Sequence, residues 1–317
     1  MVESKTYSIF KRHISFGGLT ELKDSSILLR NKQIEDGVKI HTCNDYENAI
    51  EVIKEANPNK KETTIILKVY FNYPDTKNRR YRSILSQIEE FTERLTFTPS
   101  NLILQICCYF PIDTFKKDFF PLFLDRISRE YGVNQIYFEY YPVYNYKFDD
   151  FKFFFDLYSE NISFGFTGYY NFYNRVLDTK NFSTINFLKI PFIPIGILGK
   201  NKKRDSQFDV KKFSSKDHID LNLIFLKYQI NKNQNVFGIT ETTSYSNYLN
   251  LKHRFNSLIR INDDNYYKFD SINFNLIKRD QYGGKFDVKD FLLNPRLLLS
   301  KAKQFITQNK QDSYFFT

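Results

Sequence analysis

Apolar, β-branched runs recur along the chain at the intervals of alternating strands and helices. Strands are expected near 13–18, 38–43, 64–70, 102–109, 134–141, 162–167, 184–190 and 235–240. Several of them, such as the stretch from Thr64 to Val69, are nearly continuous apolar runs and not strict alternations. That is the pattern of strands buried on both faces of a parallel sheet. The intervening spacing predicts helices over 21–35, 45–55, 82–95, 115–131, 148–159, 170–178 and 215–231, one in each of the seven intervals between the eight strands. Asp36-Gly37 reads as the turn closing the first helix, and the acidic pair Asp45 and Glu47 suits the start of the second.

Eight β/α units in one chain favour a closed parallel (β/α)8 TIM barrel over an open doubly wound sheet. No GxGxxG follows the first strand, where Gly17-Gly18 stands alone, so a dinucleotide fingerprint of the open-sheet kind is missing. Pro74, Pro111, Pro142, Gly168, Pro191 and Gly199 sit just after strands, where the catalytic-face loops of a barrel begin. The barrel is expected to occupy 1–260. The segment 261–317 has few apolar residues for a core of its own and reads as a C-terminal extension packed on the barrel.

Composition narrows the class. A chain of 317 residues, 42% apolar and 26% charged, has the profile of a globular protein with a sizeable core. Three cysteines (Cys43, Cys107, Cys108) are too few for a disulfide framework or a four-cysteine zinc site, which favours a reducing compartment. The first residues lack the apolar core of a secretory signal, and no apolar run reaches the length of a membrane span. A cytoplasmic protein without a membrane partner is expected. The net charge of +10 invites a nucleic-acid reading. Yet Lys, Asn, Ile, Phe and Tyr are abundant together, Trp is absent and Met occurs once, a profile that A/T-rich codons produce by themselves. The densest basic cluster, Lys200 to Arg204, fits a phosphate site or a solvated loop better, and no nucleic-acid partner is expected. His13, His218 and His253 show no metal-ligand spacing, so no metal is expected either. The aromatic tract 137–155 reads mainly as core, with some surface left for a partner.

Candidate chemistry gathers on the second and third strands. Lys68 ends a buried run, which is costly unless the ammonium is solvated or paired, and Tyr46 after the preceding strand is a natural partner. An ammonium beside a phenol favours phenolate and lowers the phenol pKa. The plainer alternative has Lys68 reaching out to solvent while Tyr46 caps a helix.

With these residues in order, the chain resembles an aldo-keto reductase over roughly 10–260. Gly37 to Tyr46 is similar to the family's G-x-x-x-x-D-T-A-x-x-Y motif, with Thr42 and Tyr46 in step, and Lys68 falls on the lysine of its T-K strand. Phe192 to Lys200 resembles the S-P-L-x-x-G-x-L-x-G-K loop after the seventh strand, and Val236 to Phe255 the last strand and its helix. The resemblance implies hydride transfer between NADP(H) and a small-molecule carbonyl or alcohol, with Tyr46 as proton donor and Lys68 tuning it. Gly196, Gly199, Lys200, Thr240, Thr242 and Thr243 would hold the cofactor. The family's aspartate is His41 here, and Asp45 or Glu139 is available to replace its charge from another position. The family's histidine falls on Tyr109 if strands are counted, or on Tyr140 by a rival alignment. These departures open a second reading, an inactive barrel of the same ancestry that serves as a binding or scaffolding subunit with a protein partner.

Overall fold

A computed structural model describes residues 10–70, 83–107, 119–139, 162–169, 185, 187–198, 219, 222–223, 225–227, 229–230 and 233–257. Within them eight strands form a closed barrel: β1 (Ile14–Gly17), β2 (Lys39–Cys43), β3 (Thr64–Tyr70), β4 (Asn101–Cys107), β5 (Val133–Glu139), β6 (Ser163–Tyr169), β7 (Phe192–Ile195) and β8 (Gly238–Glu241). Every neighbouring pair is parallel, and β8 returns to β1 with Ser15 opposite Ile239. Helices α1 (Asp24–Glu35), α2 (Ala49–Ala56), α3 (Ile84–Leu95), α4 (Phe119–Tyr131) and α5 (Tyr245–Ser257) are joined by helical residues within 219–230. The (β/α)8 barrel read from the sequence is the fold observed.

Strand alternation divides the core into two shells. Ile66, Ile103, Tyr137, Ile193, Phe237 and Ile239 fill the barrel interior. The opposite face of the same strands, with Phe16, Ile65, Leu67, Leu104, Phe138 and Phe166 among others, packs beneath the helices. Each such side chain taken fully out of water contributes about 1.5–3 kcal/mol. Because both faces are apolar, the strands read as unbroken hydrophobic runs.

Polar contacts fasten the ends. Arg30 on α1 is buried and donates to the carbonyls of Phe16 (3.2 Å) and Gly18 (2.9 Å) and to Gln33 Oε1 (2.7 Å), fixing the end of β1. After α1, Gly37 N–H donates to Ile34 O and Val38 N–H to Gln33 O, a helix stop that needs the left-handed backbone of Gly37 (φ 66°). Asp36, buried beside it, accepts from Tyr248 Oη (2.6 Å) and Lys252 Nζ (2.8 Å) of α5, tying α1 to α5.

Several boundaries differ from the sequence reading. Where a strand was expected at 184–190, the described residues 185 and 187–190 are the end of a helical segment and a turn. Ile190 N–H donates back to Ile185 O, and Lys189 adopts φ 56°, so the chain reverses there and pairs only from Phe192. Phe192 to Ile195, read as loop, is therefore β7 itself. The second helix begins at Ala49 and not at Asp45. Tyr46 N–H donates to Cys43 O and Ala49 N–H to Tyr46 O, a tight turn that uses up the acidic pair. Residues 10–13 are helical, so β1 opens one residue later than expected. The helices expected at 148–159 and 170–178 and the extension 261–317 lie outside the described residues.

Candidate active site

The C-terminal ends of the strands carry polar side chains where the inner shell stops. On β3 the inward series runs Ile66, Lys68, Tyr70, and Lys68 stands opposite Cys43 on one side and Gln105 on the other. Its ammonium lies 5.1 Å from the centroid of the Tyr70 ring. Tyr46 hangs from the turn after β2, half-buried, with its ring 6.0 Å from that of His41 and nearly perpendicular to it. Lys68 and Tyr46 act on one another electrostatically: the ammonium pulls the phenol pKa down, and the phenol holds the ammonium charged. Both groups thus lie at the same end of a closed barrel.

Burial wins at Tyr46. It pushes the phenol up to about 12 against the pull of Lys68, so the hydroxyl keeps its proton at neutral pH. The lowered phenol pKa expected from the sequence is not what the site produces. Burial also works against the charge of Lys68, but Cys107, Glu139, Tyr46 and Tyr70 outweigh it and hold the amine above the usual lysine range. Burial, with Lys68 adding to it, lowers His41 to about 3. That imidazole is neutral, and its Nε2–H donates to Gln105 Oε1 at 2.9 Å. Gly17 makes room for it, since a Cβ there would stand 3.1 Å from His41 Nδ1. Burial raises Cys43 as well, so this rim thiol is no ready nucleophile.

Gln105 was not singled out by spacing or motif, and Glu139 was named only as a charge available to replace the family's aspartate. Each is a fully or almost fully buried polar residue in an apolar strand run, an expensive placement that implies a partner. That cost is the sequence signal for them. Tyr109 and Tyr140 lie outside the described residues, as do Gly199 and Lys200.

The remaining candidates border β7 and β8. Gly196 follows β7 with φ 66°. Thr240 is buried and pairs with outward-facing Phe16, so it faces the helical layer and not the barrel interior. Thr242 Oγ1 donates to Ser244 O (3.3 Å), and Thr243 is exposed. Ser244 Oγ accepts from Asn247 N–H (3.2 Å) and so caps α5, leaving the first-turn amides of that helix facing the loop. These hydroxyls and amides, positioned as hydrogen-bond donors at a helix start, suit the phosphate end of a dinucleotide.

Fold and mouth together define a (β/α)8 barrel that carries a lysine and a protonated tyrosine at its C-terminal rim. The structure is similar to an aldo-keto reductase from Klebsiella pneumoniae in complex with NADPH (TM-score 0.57, 13% identity, 87% of this chain and 94% of that one). It is equally similar to an aldo/keto reductase from the same organism in complex with NADP and acetate (TM-score 0.58, 13% identity, the same coverage of 87% and 94%). An aldo-keto reductase enzyme from a Medee basin deep-sea metagenome library matches with TM-score 0.53 and 12% identity over 92% of this chain and 90% of that one. At such identities the likeness is one of fold. No protein-family model matches the sequence, and no curated protein matches it. Among the described residues no cluster of three or more metal-ligating side chains occurs, and no helix is long and apolar enough to cross a membrane.

Proposed function

We propose that this chain is a divergent oxidoreductase of the aldo-keto reductase type, moving a hydride between NADP(H) and a small carbonyl or alcohol. What supports the reading is the placement of Tyr46 and Lys68 at the same end of the barrel, near enough to act on one another electrostatically. When bound, a reduced nicotinamide supplies the hydride. The chain's part is to hold the substrate oxygen beside a phenol that still owns its proton, which suits the direction of carbonyl reduction. In this proposal Tyr46 gives that proton, and Lys68 offers a fixed positive charge to the oxyanion that Tyr46 would become. Tyr109 supplies a second hydrogen bond to the carbonyl, and neutral His41 packs against Tyr46. Gly196, Gly199, Lys200, Thr242 and Thr243 would hold the cofactor, Lys200 by charge and the others through backbone and hydroxyl contacts, while Thr240, turned to the helical layer, would only support the strand end.

The second reading, an inactive barrel kept as a binding subunit, is favoured by one feature: a neutral His41 bonded to Gln105 stands where the family carries a carboxylate. A cofactor titration separates the two. Micromolar NADPH should raise the melting temperature and quench cofactor fluorescence, as expected for a ligand that binds only the folded chain. No response at millimolar NADPH, with one stoichiometric protein partner in a pull-down, would replace the reductase by the scaffold.

A further inference from the structure

Strand β2 ends at Cys43, opposite Lys68, whereas β4 continues to Cys107, opposite Tyr70. On the β2 side the end of β3 therefore has no described strand beside it, and its backbone groups need another partner. The side chain of Gln87, near the start of α3, takes that place. Its Oε1 accepts from Tyr70 N–H at 2.9 Å and its Nε2 donates to Tyr70 O at 2.7 Å, as a neighbouring strand would. Gln87 is buried, and the same Nε2 also donates to Ser83 O at 3.2 Å. Both ends of its amide are thus engaged on backbone, which fastens α3 to the strand end two residues beyond Lys68.

The same helix holds the chain that leaves β2. Asn44, the first residue after the strand, donates its Nδ2–H to Gln87 O at 2.8 Å. Seven residues after Gln87, two turns along and so on the same face of α3, Arg94 reaches that turn too. Its Nη1 donates to Asn44 O at 3.0 Å and its Nη2 to Glu47 O at 3.3 Å. Glu51 of α2 accepts from Nη2 at 3.0 and 3.1 Å and steadies the guanidinium from the other side. The two carbonyls bracket Tyr46. Glu47 has φ 31°, a left-handed backbone uncommon for a residue with a side chain, and such a conformation persists only where its surroundings hold it. A planar, always charged fork bonded to both carbonyls and a carboxylate is a directional clamp.

We propose that Arg94 is a positioning residue of the barrel mouth: it clamps the turn that carries Tyr46 onto a helix that Gln87 has fastened to the strand end that carries Lys68. The consequence for catalysis rests on the hydride-transfer reading, and there Arg94 acts through Tyr46. In that reading Arg94→Met lowers kcat by about 10²-fold, the cost of a misplaced reacting group, with NADPH affinity unchanged.

The test is the titration of Tyr46 in the full-length chain, followed by NMR of tyrosine labelled with 13C at Cζ and assigned with Tyr46→Phe. Burial keeps this phenol protonated, and Lys68, Cys43, Cys107 and Glu241, which act on its charge, are unchanged in the variants. In the wild type the Tyr46 resonance should remain that of a protonated phenol through about pH 11. In Arg94→Met, which keeps the bulk and frees both carbonyls, the turn should open to water and Tyr46 should titrate lower by about one pH unit or more. Glu51→Gln leaves Arg94 on the carbonyls and should titrate as the wild type does. An unchanged Tyr46 titration in a folded Arg94→Met variant overturns the assignment, and so does an equal shift in Glu51→Gln. Should Arg94→Met not fold, Arg94→Lys decides on the same readout, because it retains a cation beside Glu51 but not the fork: a lowered titration supports the clamp and an unchanged one overturns it. The titration needs neither cofactor nor turnover, so its outcome is distinct from success or failure of the reductase reading.

Discussion

At Tyr46 two effects of opposite sign meet, since burial disfavours phenolate while the Lys68 ammonium favours it. Burial is the larger, and the hydroxyl stays protonated up to about pH 12. The same desolvation keeps two histidines neutral: His41 at about 3, and His13 at about 4 with its Nδ1–H donated to Val236 O. Unfolded, both return to about 6.5. Between pH 6.5 and 4 the unfolded chain binds protons that the folded one does not. Their contribution is therefore complete above pH 6.5 and is lost as pH falls, by about 1.4 kcal/mol per pH unit for each group. Urea unfolding between pH 7 and 4.5 should show this slope, and His13→Asn should remove about half of the part due to the two histidines. An unchanged slope in that variant would contradict the account. Tyr46 and Lys68 were legible in the sequence because each sits at a fixed step from a strand that the apolar pattern reveals. Gln105 was not, because its partner His41 lies on another strand and only the register brings the two together.

Local signals set most elements, and tertiary pairing decided the rest. Strands β3 to β5 stand where their apolar runs place them, within about two residues. The seventh failed for a physical reason. The stretch 184–190 carries Ile185, Phe187, Leu188 and Ile190, and periodicity cannot separate a short buried helix from a short buried strand. The left-handed Lys189 that turns the chain carries no composition cue. At the far end of the molecule, Asp36 binds Tyr248 and Lys252 and so couples α1 to α5, the elements that flank the closing seam between β1 and β8. Asp36→Asn keeps the shape and removes the charge that both donors face. It should lower the unfolding free energy by about 1.5–3 kcal/mol, the range for hydrogen bonds to a charged group. The loss should shrink when Lys252→Met is already present. Simple additivity of the two substitutions in a double-mutant cycle would show that the pair does not couple the helices.

For the whole molecule, eight successive units closing on themselves were readable because each unit repeats the same alternation of buried strand and helix. Closure then does what no local motif can. It bends eight strand ends around one mouth and sets the turn after β2 against the end of β3. The proposed chemistry depends on that geometry and on one proton. The most direct test is a single-turnover reaction of saturating 4-deuterated NADPH with a small aldehyde, comparing the wild type with Tyr46→Phe between pH 7 and 10. The account predicts deuterium on the alcohol carbon at a rate independent of pH over that range. It also predicts a loss of about 10²–10⁴-fold in the variant with NADPH affinity unchanged. No deuterium transfer by the wild type, or full transfer by Tyr46→Phe, would contradict it.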